Sequence, residues 1–204
     1  KPGKPYADRL VFVIMAEAAA RDVAFRNKEI DTSILGPAQY VAYRADPQLS
    51  KGILEVAEMF TRAMRMNPSF KPFSDKRVRQ AINHAIDTDL IIKRLVKDKA
   101  YRAVSWLPLS SPAFDKNVKP YEFNPDKAKK LLAEAGYPNG FHGGTYYPYN
   151  SQFWPMAEMI ATYWKALGIT VNTVLLERPA WFANREGGKM KGSIFIDPLM
   201  PPTI

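Results

Sequence analysis

Thr145-Tyr146-Tyr147, then Met156, Ile160, Tyr163, Trp164 and Leu167 at helical spacing, then Gly168 and the run Ile169-Thr170-Val171-Asn172-Thr173-Val174-Leu175-Leu176 set the fold class of this chain. A short β-prone run, an amphipathic stretch closed by glycine and a second apolar run read as strand, helix and strand. The alternation continues with a helical piece from Pro179 to Arg185, a Gly187-Gly188 stop, and a strand from Ser193 to Ile196. Strands alternating with helices predict an α/β fold with a mostly parallel sheet.

Upstream of that stretch the helix signals are strong. Asn124-Pro125 supplies an N-cap with proline at the first helical position, Ala128, Leu131, Leu132 and Ala135 form the buried stripe, and Gly136 closes it. Ser74 or Asp75 caps a helix with Val78, Ala81, Ile82, Ala85 and Ile86 on one face, and Asp87 or Thr88 starts a shorter one through Leu90, Ile91 and Leu95. Between Ala103 and Pro120 three prolines with serines around them mark a long surface crossing, the kind of loop that often carries function.

Near the start, Leu10 to Met15 reads as a buried strand, Glu17 to Asn27 as a helix and Ile30 to Leu35 as a second strand, together a βαβ unit. A further helical turn, Ala38 to Tyr43, ends at Asp46-Pro47, because proline lacks an N–H and restricts the residue before it. Gly52 to Met66 has two readings. Ile53, Leu54, Ala57, Phe60 and Met64 fit a helical stripe, which periodicity favours, while Phe60 to Met66 alternates in part like a strand.

The 204 residues bury a sizeable core without disulfides or metals. No apolar run approaches the roughly 20 residues that span a bilayer. The absence of cysteine excludes thiol catalysis, thiolate metal sites and disulfides. A net charge of +9 points toward anionic partners, but the cations are scattered from Lys1 to Lys191, which describes a solvated basic surface. The chain opens at Lys1 without a methionine and stops just after a strand-like run, so both ends read as cuts.

His84 and His142 are the only histidines, one on an amphipathic helix and one in a glycine-rich turn, and no nucleophile elbow accompanies them. Gly140 to Gly144 lacks the following Lys-Ser/Thr of a phosphate-binding loop. The expectation is a non-enzyme with no metal and no cofactor.

The run Phe60 to Asn67, leading into Pro72-Phe73-Ser74-Asp75-Lys76-Arg77-Val78-Arg79-Gln80-Ala81-Ile82-Asn83 and Ala85-Ile86-Asp87, resembles the signature of the family 5 solute-binding proteins of ABC importers. Lys119-Pro120-Tyr121, Asn124-Pro125-Asp126-Lys127-Ala128 and Leu131-Leu132-Ala133-Glu134-Ala135-Gly136-Tyr137-Pro138, with Gly140-Phe141, resemble the same family in the same order. The resemblance implies a periplasmic-binding-protein-like lobe of class II with a mixed, mostly parallel sheet flanked by helices. By it, residues 1–70 are the later part of a first lobe with the crossover strands, and residues 71–204 an incomplete second lobe. It also makes Phe60 to Met66 a strand, against the periodicity.

The same resemblance implies capture of a small solute, an oligopeptide or related compound, between two lobes, and delivery to the membrane permease of the importer. The location it implies is periplasmic, or extracellular and membrane-anchored, with no nucleic-acid partner. Two other function classes compete: a basic nucleic-acid-binding module, suggested by the net charge and aromatic content, and a hydrolase.

Open α/β sheets bind ligands outside the carboxyl ends of their strands. That selects Tyr147, Tyr149, Asn150 and Trp154, which either meet a solute or pack over the core. Trp106, in the proline-rich crossing, is either a lid or the loop's own anchor. Asp197 either neutralises a solute ammonium group, as the resemblance implies, or serves as a cap or turn. Asn67 either lines the cleft or fixes the crossover backbone. Arg77 and Arg79 suggest carboxylate binding, but flanking a helix stripe favours a solvated or interlobe salt-bridging role.

Overall fold

In the computed structural model, which describes residues 3, 6–15, 17–56 and 61–190 and the backbone of 193–199, three helices begin where a side-chain oxygen accepts a backbone N–H. Asp75 accepts from Arg77 at the start of a helix Lys76–His84, Asp87 from Leu90 before Thr88–Val96, and Asn124 from Lys127 before Pro125–Glu134. These caps satisfy donors that a helix start leaves orphaned, so the boundaries fall where the sequence places them.

The chain divides into two units, residues 1–56 and 57–204. The first unit holds helix α1 (Ala18–Arg26), helix α2 (Pro37–Ala45) and a 3₁₀ turn over Leu49–Gly52. The Tyr43 hydroxyl of α2 donates to the Asp22 carboxylate of α1, which also accepts from Arg26 at 3.1 Å. The Arg26 guanidinium lies 4.8 Å over the Tyr43 ring. The hydrogen bond from Tyr43 is the chief reason the Asp22 carboxyl titrates below its usual range.

The expected βαβ unit is absent from the described residues. Its helix is present, but Leu10–Met15 and Ile30–Leu35 pair with no strand. Phe12 is 82% and Ile14 97% exposed, so this apolar run is not buried either. A strand exists only when a neighbour takes its backbone N–H and C=O groups, and no neighbour for these runs occurs among the described residues of this unit.

The second unit opens with strand β1 (Thr61–Met66), so the strand reading of Gly52–Met66 stands over its described part. The division into two compact units falls before β1. Next come a one-turn helix α3 (Lys71–Ser74), then α4 (Lys76–His84), α5 (Thr88–Val96) and α6 (Pro125–Glu134). Strand β2 (His142–Tyr147), helix α7 (Trp154–Lys165), strand β3 (Thr170–Thr173), helix α8 (Arg178–Glu186) and strand β4 (Ser193–Leu199) complete it.

The sheet order is β1-β4-β2-β3. Strand β2 runs parallel to both β3 and β4, and β1 runs antiparallel to β4. The expected mixed, mostly parallel sheet is thus present. β3 is shorter than the predicted Ile169–Leu176: the Val174 N–H still donates to the Tyr146 carbonyl at 2.9 Å, and Leu175 and Leu176 continue outside the strand. β4 is longer than predicted and runs through Asp197 and Pro198. Beyond Phe195, β4 pairs only with β1, so a proline there removes no bond on the β2 side.

The core gathers Phe73, Val78 and Ile82 from α3 and α4, Leu132 from α6, Tyr146 from β2, and Ile160 and Trp164 from α7. The Tyr146 and Trp164 rings lie 5.4 Å apart. The Tyr146 hydroxyl and Trp164 indole N–H are buried without a hydrogen-bond partner among the described residues. Burial pushes the Tyr146 phenol well above its ordinary pKa of 10.0.

The turn before β2 meets the end of α7 backbone to backbone. Gly140 has φ +79, and a Cβ there would lie 2.2 Å from the Gly168 carbonyl. Gly136, which ends α6 at φ +89, has open space around it. Gly136→Ala is therefore expected to cost about 1–2 kcal/mol, the left-handed backbone term alone. Gly140→Ala adds a collision to that term and is expected to lower the urea midpoint by clearly more.

Tyr146→Phe removes an unsatisfied hydroxyl and is expected to leave stability unchanged or raise it by up to ~1 kcal/mol. The raised phenol favours the folded state below pH 10.0 and loses that contribution as pH rises further. The Phe variant is accordingly expected to show a flatter decline in stability above that pH.

Candidate ligand-binding surface

Strand β2 ends at Tyr147, and the chain turns through Pro148-Tyr149-Asn150 into a 3₁₀ turn (Ser151–Phe153) and then α7. The Asn150 carboxamide oxygen accepts the Gln152 N–H at 3.0 Å, which fixes the turn. Side chains alternate along a strand, so with Tyr146 in the core Tyr147 projects from the opposite face. Tyr147, Tyr149, Asn150 and Trp154 are all half-buried. The structure brings these four together at one end of the sheet.

Tyr149 is the hub of an aromatic group there. Its ring lies edge-on to Trp181 at 5.0 Å, to Phe182 at 6.0 Å and to Phe153 at 6.2 Å. Trp181 is fully buried and packs edge-on against Phe182 at 5.3 Å. Three guanidinium groups stand over these rings: Arg178 at 5.4 Å from the Tyr149 ring and 5.9 Å from Phe182, Arg62 at 5.5 Å from Phe153, and Arg185 at 5.8 Å from Trp181. Such placement is attractive because a ring face carries negative potential.

β1 begins at Thr61 opposite Leu199 of β4, at the sheet end where β2 also finishes. Arg62 therefore shares the end that carries Tyr149. Asn67 follows the other end of β1 and lies at the opposite sheet edge. Its side chain accepts the Ser69 N–H at 2.9 Å. It borders a separate groove of ≈370 Å³ with Arg65, Met66, Pro68, Arg185, Gly188 and Met190. The structure does not join Asn67 to Tyr149.

Trp106 is half exposed in the irregular crossing between α5 and α6. Asp197 pairs with Ala63 within the β1–β4 ladder, so a turn or helix-cap role does not describe it; its side chain lies outside the described residues.

Arg77 is exposed, as the solvated reading expects, and both Arg77 and Arg79 also brace the second unit from within. Arg77 pairs with Asp75 at 2.7 Å and donates to the Glu134 carbonyl at 2.7 Å, joining the start of α4 to the end of α6. The side-chain bond from Arg77 is the main cause of the lowered Asp75 pKa. Arg79 donates to the Phe73 and Ser74 carbonyls.

His84 is buried, its Nδ1 2.8 Å from the Glu122 carbonyl and its ring edge-on to Tyr121. It holds the end of the long crossing to α4, aided by the Asn124 N–H donating to the His84 carbonyl. A groove of ≈370 Å³ beside it is lined by Gln80, Lys119, Tyr121 and Lys127. His142 is exposed at the start of β2, 3.2 Å from the Thr170 hydroxyl. Among the described residues no carboxylate hydrogen-bonds either imidazole, and no group of three His, Cys, Asp or Glu side chains converges as a metal site. Among the described residues, neither a His–carboxylate dyad nor a metal centre is assembled.

Sequence reasoning located the tyrosines but missed Arg178, Trp181, Phe182 and Phe153. Residues 149 and 181 are brought together by the α7–β3–α8 path and not by any local period. The one available signal was Trp181-Phe182 on a short helix with proline in its first turn.

Residues 1–195 match the family described as bacterial extracellular solute-binding proteins, family 5. The chain is 30% identical to heme-binding protein A of Haemophilus influenzae over 208 residues, covering 95% of this chain and 36% of that protein. It is 29% identical to the dipeptide-binding protein of Escherichia coli, covering 91% and 36% respectively. An ABC transporter-associated periplasmic binding protein from Helicobacter pylori, solved in complex with the peptide STSA, superimposes with a TM-score of 0.75 at 25% identity, over 92% of this chain and 36% of that one. This chain thus spans about a third of the length of the relatives it matches. No helix among the described residues is long and apolar enough to cross a membrane.

Tyr149→Ala is expected to destabilise the second unit by roughly 2 kcal/mol, since it removes the ring that three others contact. Tyr149→Phe is expected to leave the denaturant midpoint in place, because the hydroxyl has no hydrogen-bond partner among the described residues. The chain belongs to the family 5 bacterial extracellular solute-binding proteins.

Proposed function

We propose that this chain is part of a receptor that captures a small solute between two lobes and hands it to the membrane permease of an ABC importer. The solute class is an oligopeptide or a related compound, and the receptor works outside the cytoplasmic membrane, in the periplasm or anchored at the cell surface. The observation that carries the reading is the family match over residues 1–195.

The second unit supplies a surface of the right chemistry. Tyr147, Tyr149, Asn150 and Trp154 present flat apolar faces with hydrogen-bonding tips at the carboxyl ends of parallel strands, the position that open α/β sheets use for ligands. Relatives named for heme and for dipeptides are similar to this chain at 30% and 29% identity, and both solutes combine apolar bulk with charged ends. The nucleic-acid reading loses support because several cations are committed to structure: Arg26 to Asp22, Arg77 to Asp75, Arg102 to Asp89 and Lys127 to Glu122.

A thermal-shift screen of the parent-length protein against short peptides, heme, opines, sugars and metal chelates tests this. One solute class is expected to stabilise the parent by several degrees, through binding to the folded state. Trp154→Ala and Tyr147→Ala are expected to reduce that shift with little change in the unliganded midpoint. A parent that no solute stabilises overturns the reading.

A further inference from the structure

The groove of ≈370 Å³ beside His84 lies between α4, the end of the long crossing and α6, and none of its lining residues belongs to the surface around Tyr149. Its wall is held from behind. The Glu122 carbonyl meets His84 Nδ1 at 2.8 Å, the Tyr121 carbonyl accepts from the Arg102 guanidinium, and the Tyr121 ring stands edge-on to the imidazole. A carbonyl only accepts, so Nδ1 carries the proton, and in the neutral ring Nε2 is a hydrogen-bond acceptor. His84 is 5% exposed, yet Nε2 has no partner among the described residues and reaches the groove.

Three donors in the same groove are also without a partner among the described residues: the Lys119 ammonium, the Gln80 carboxamide and the Tyr121 hydroxyl. The other two charges there offset each other, since Lys127 pairs with Glu122 at 3.3 Å. The groove therefore offers three donors, one acceptor and one uncompensated positive charge. That set is the complement of a tetrahedral oxyanion that keeps one proton. Hydrogenphosphate has three bare oxygens and one hydroxyl. Sulfate has the same shape but no proton to give Nε2, and a carboxylate has too few oxygens to meet all four groups.

We propose that this groove is a binding site for hydrogenphosphate, whose bare oxygens accept from Lys119, Gln80 and Tyr121 while its hydroxyl donates to His84 Nε2. The bound ion joins α4 to the last residues of the crossing, so it also stabilises the folded unit.

Isothermal titration calorimetry of the parent-length protein with inorganic phosphate and with sulfate, at about pH 8 and equal ionic strength, tests this. Wild type is expected to bind phosphate about tenfold or more tightly than sulfate, the scale of one hydrogen bond to a charged group. Glycerol 3-phosphate, whose phosphoryl group has lost both protons at that pH, is expected to behave like sulfate, which separates the free ion from a phosphate ester. Lys119→Gln is expected to weaken phosphate binding about tenfold and Tyr121→Phe by less, whereas Lys116→Gln, outside the groove, leaves it unchanged. Lys119 and Tyr121 are exposed, and phenylalanine keeps the edge-on ring, so both variants are expected to melt with unliganded wild type. In the nitrogen-15 spectrum of the histidines, phosphate is expected to shift His84 Nε2 and to leave His142 in place.

A wild type that binds no phosphate, that binds sulfate or the ester equally well, or whose His84 Nε2 signal stays unmoved overturns the proposal. So does a Lys119→Gln variant that binds phosphate at wild-type strength. None of these results touches the receptor reading, and a parent that captures no solute leaves this site standing.

Discussion

The contact between the Tyr146 ring on β2 and Trp164 on α7 governs the second unit. Both residues are fully buried, and together they decide which face of β2 looks into the core. Because side chains alternate along a strand, a one-residue slip would exchange the core and outer faces of the whole element. With Tyr146 inward, Tyr147 is outward, and the chain leaving β2 carries Tyr149 toward α8. The site surface is thus a consequence of core packing one residue upstream.

That packing depends on how closely the backbone can approach itself at the other end of the same elements. Gly140 and Gly168 touch main chain to main chain, and the Thr170 N–H donates to the Phe141 carbonyl where β3 begins. This contact places the starts of β2 and β3 side by side. Strand β3 then leads directly into the segment that sets α8, and hence Arg178 and Trp181, across from Tyr149. Burial of a large aromatic pair and absence of two Cβ atoms therefore act jointly on a surface that contains none of those four residues.

Much of this was legible in the sequence where the signal is local. Asp75, Asp87 and Asn124 announce helix starts, and Gly136 and Gly168 announce ends, because caps and left-handed turns act within a few residues. The strand at Thr61–Met66 was not legible from periodicity. Its alternation is weak, and its existence depends on β4, more than a hundred residues away, which supplies the ladder. The converse error fell on Leu10–Met15, whose composition is that of a strand. Composition expresses a preference for a half-buried pleated surface, but the ladder needs a neighbour, and none lies among the described residues of that unit. The candidate site divides the same way: Tyr147 to Trp154 follow one another and were found together, whereas Arg178 is next to Tyr149 only in space.

The arginines show why charge alone is a poor guide to a binding surface. Arg77 and Arg79 stand out in sequence, yet Arg77 spends its donors on the capping Asp75 and a carbonyl at the end of α6, and Arg79 on two carbonyls of α3. A guanidinium so occupied would have to release bonds to take a solute, and the helix ends it satisfies would be left orphaned. Arg178 differs from both: it is exposed and stands over the rings of Tyr149 and Phe182. At a helix start the macrodipole disfavours this cation, and its attraction to the faces of the two rings offsets that cost.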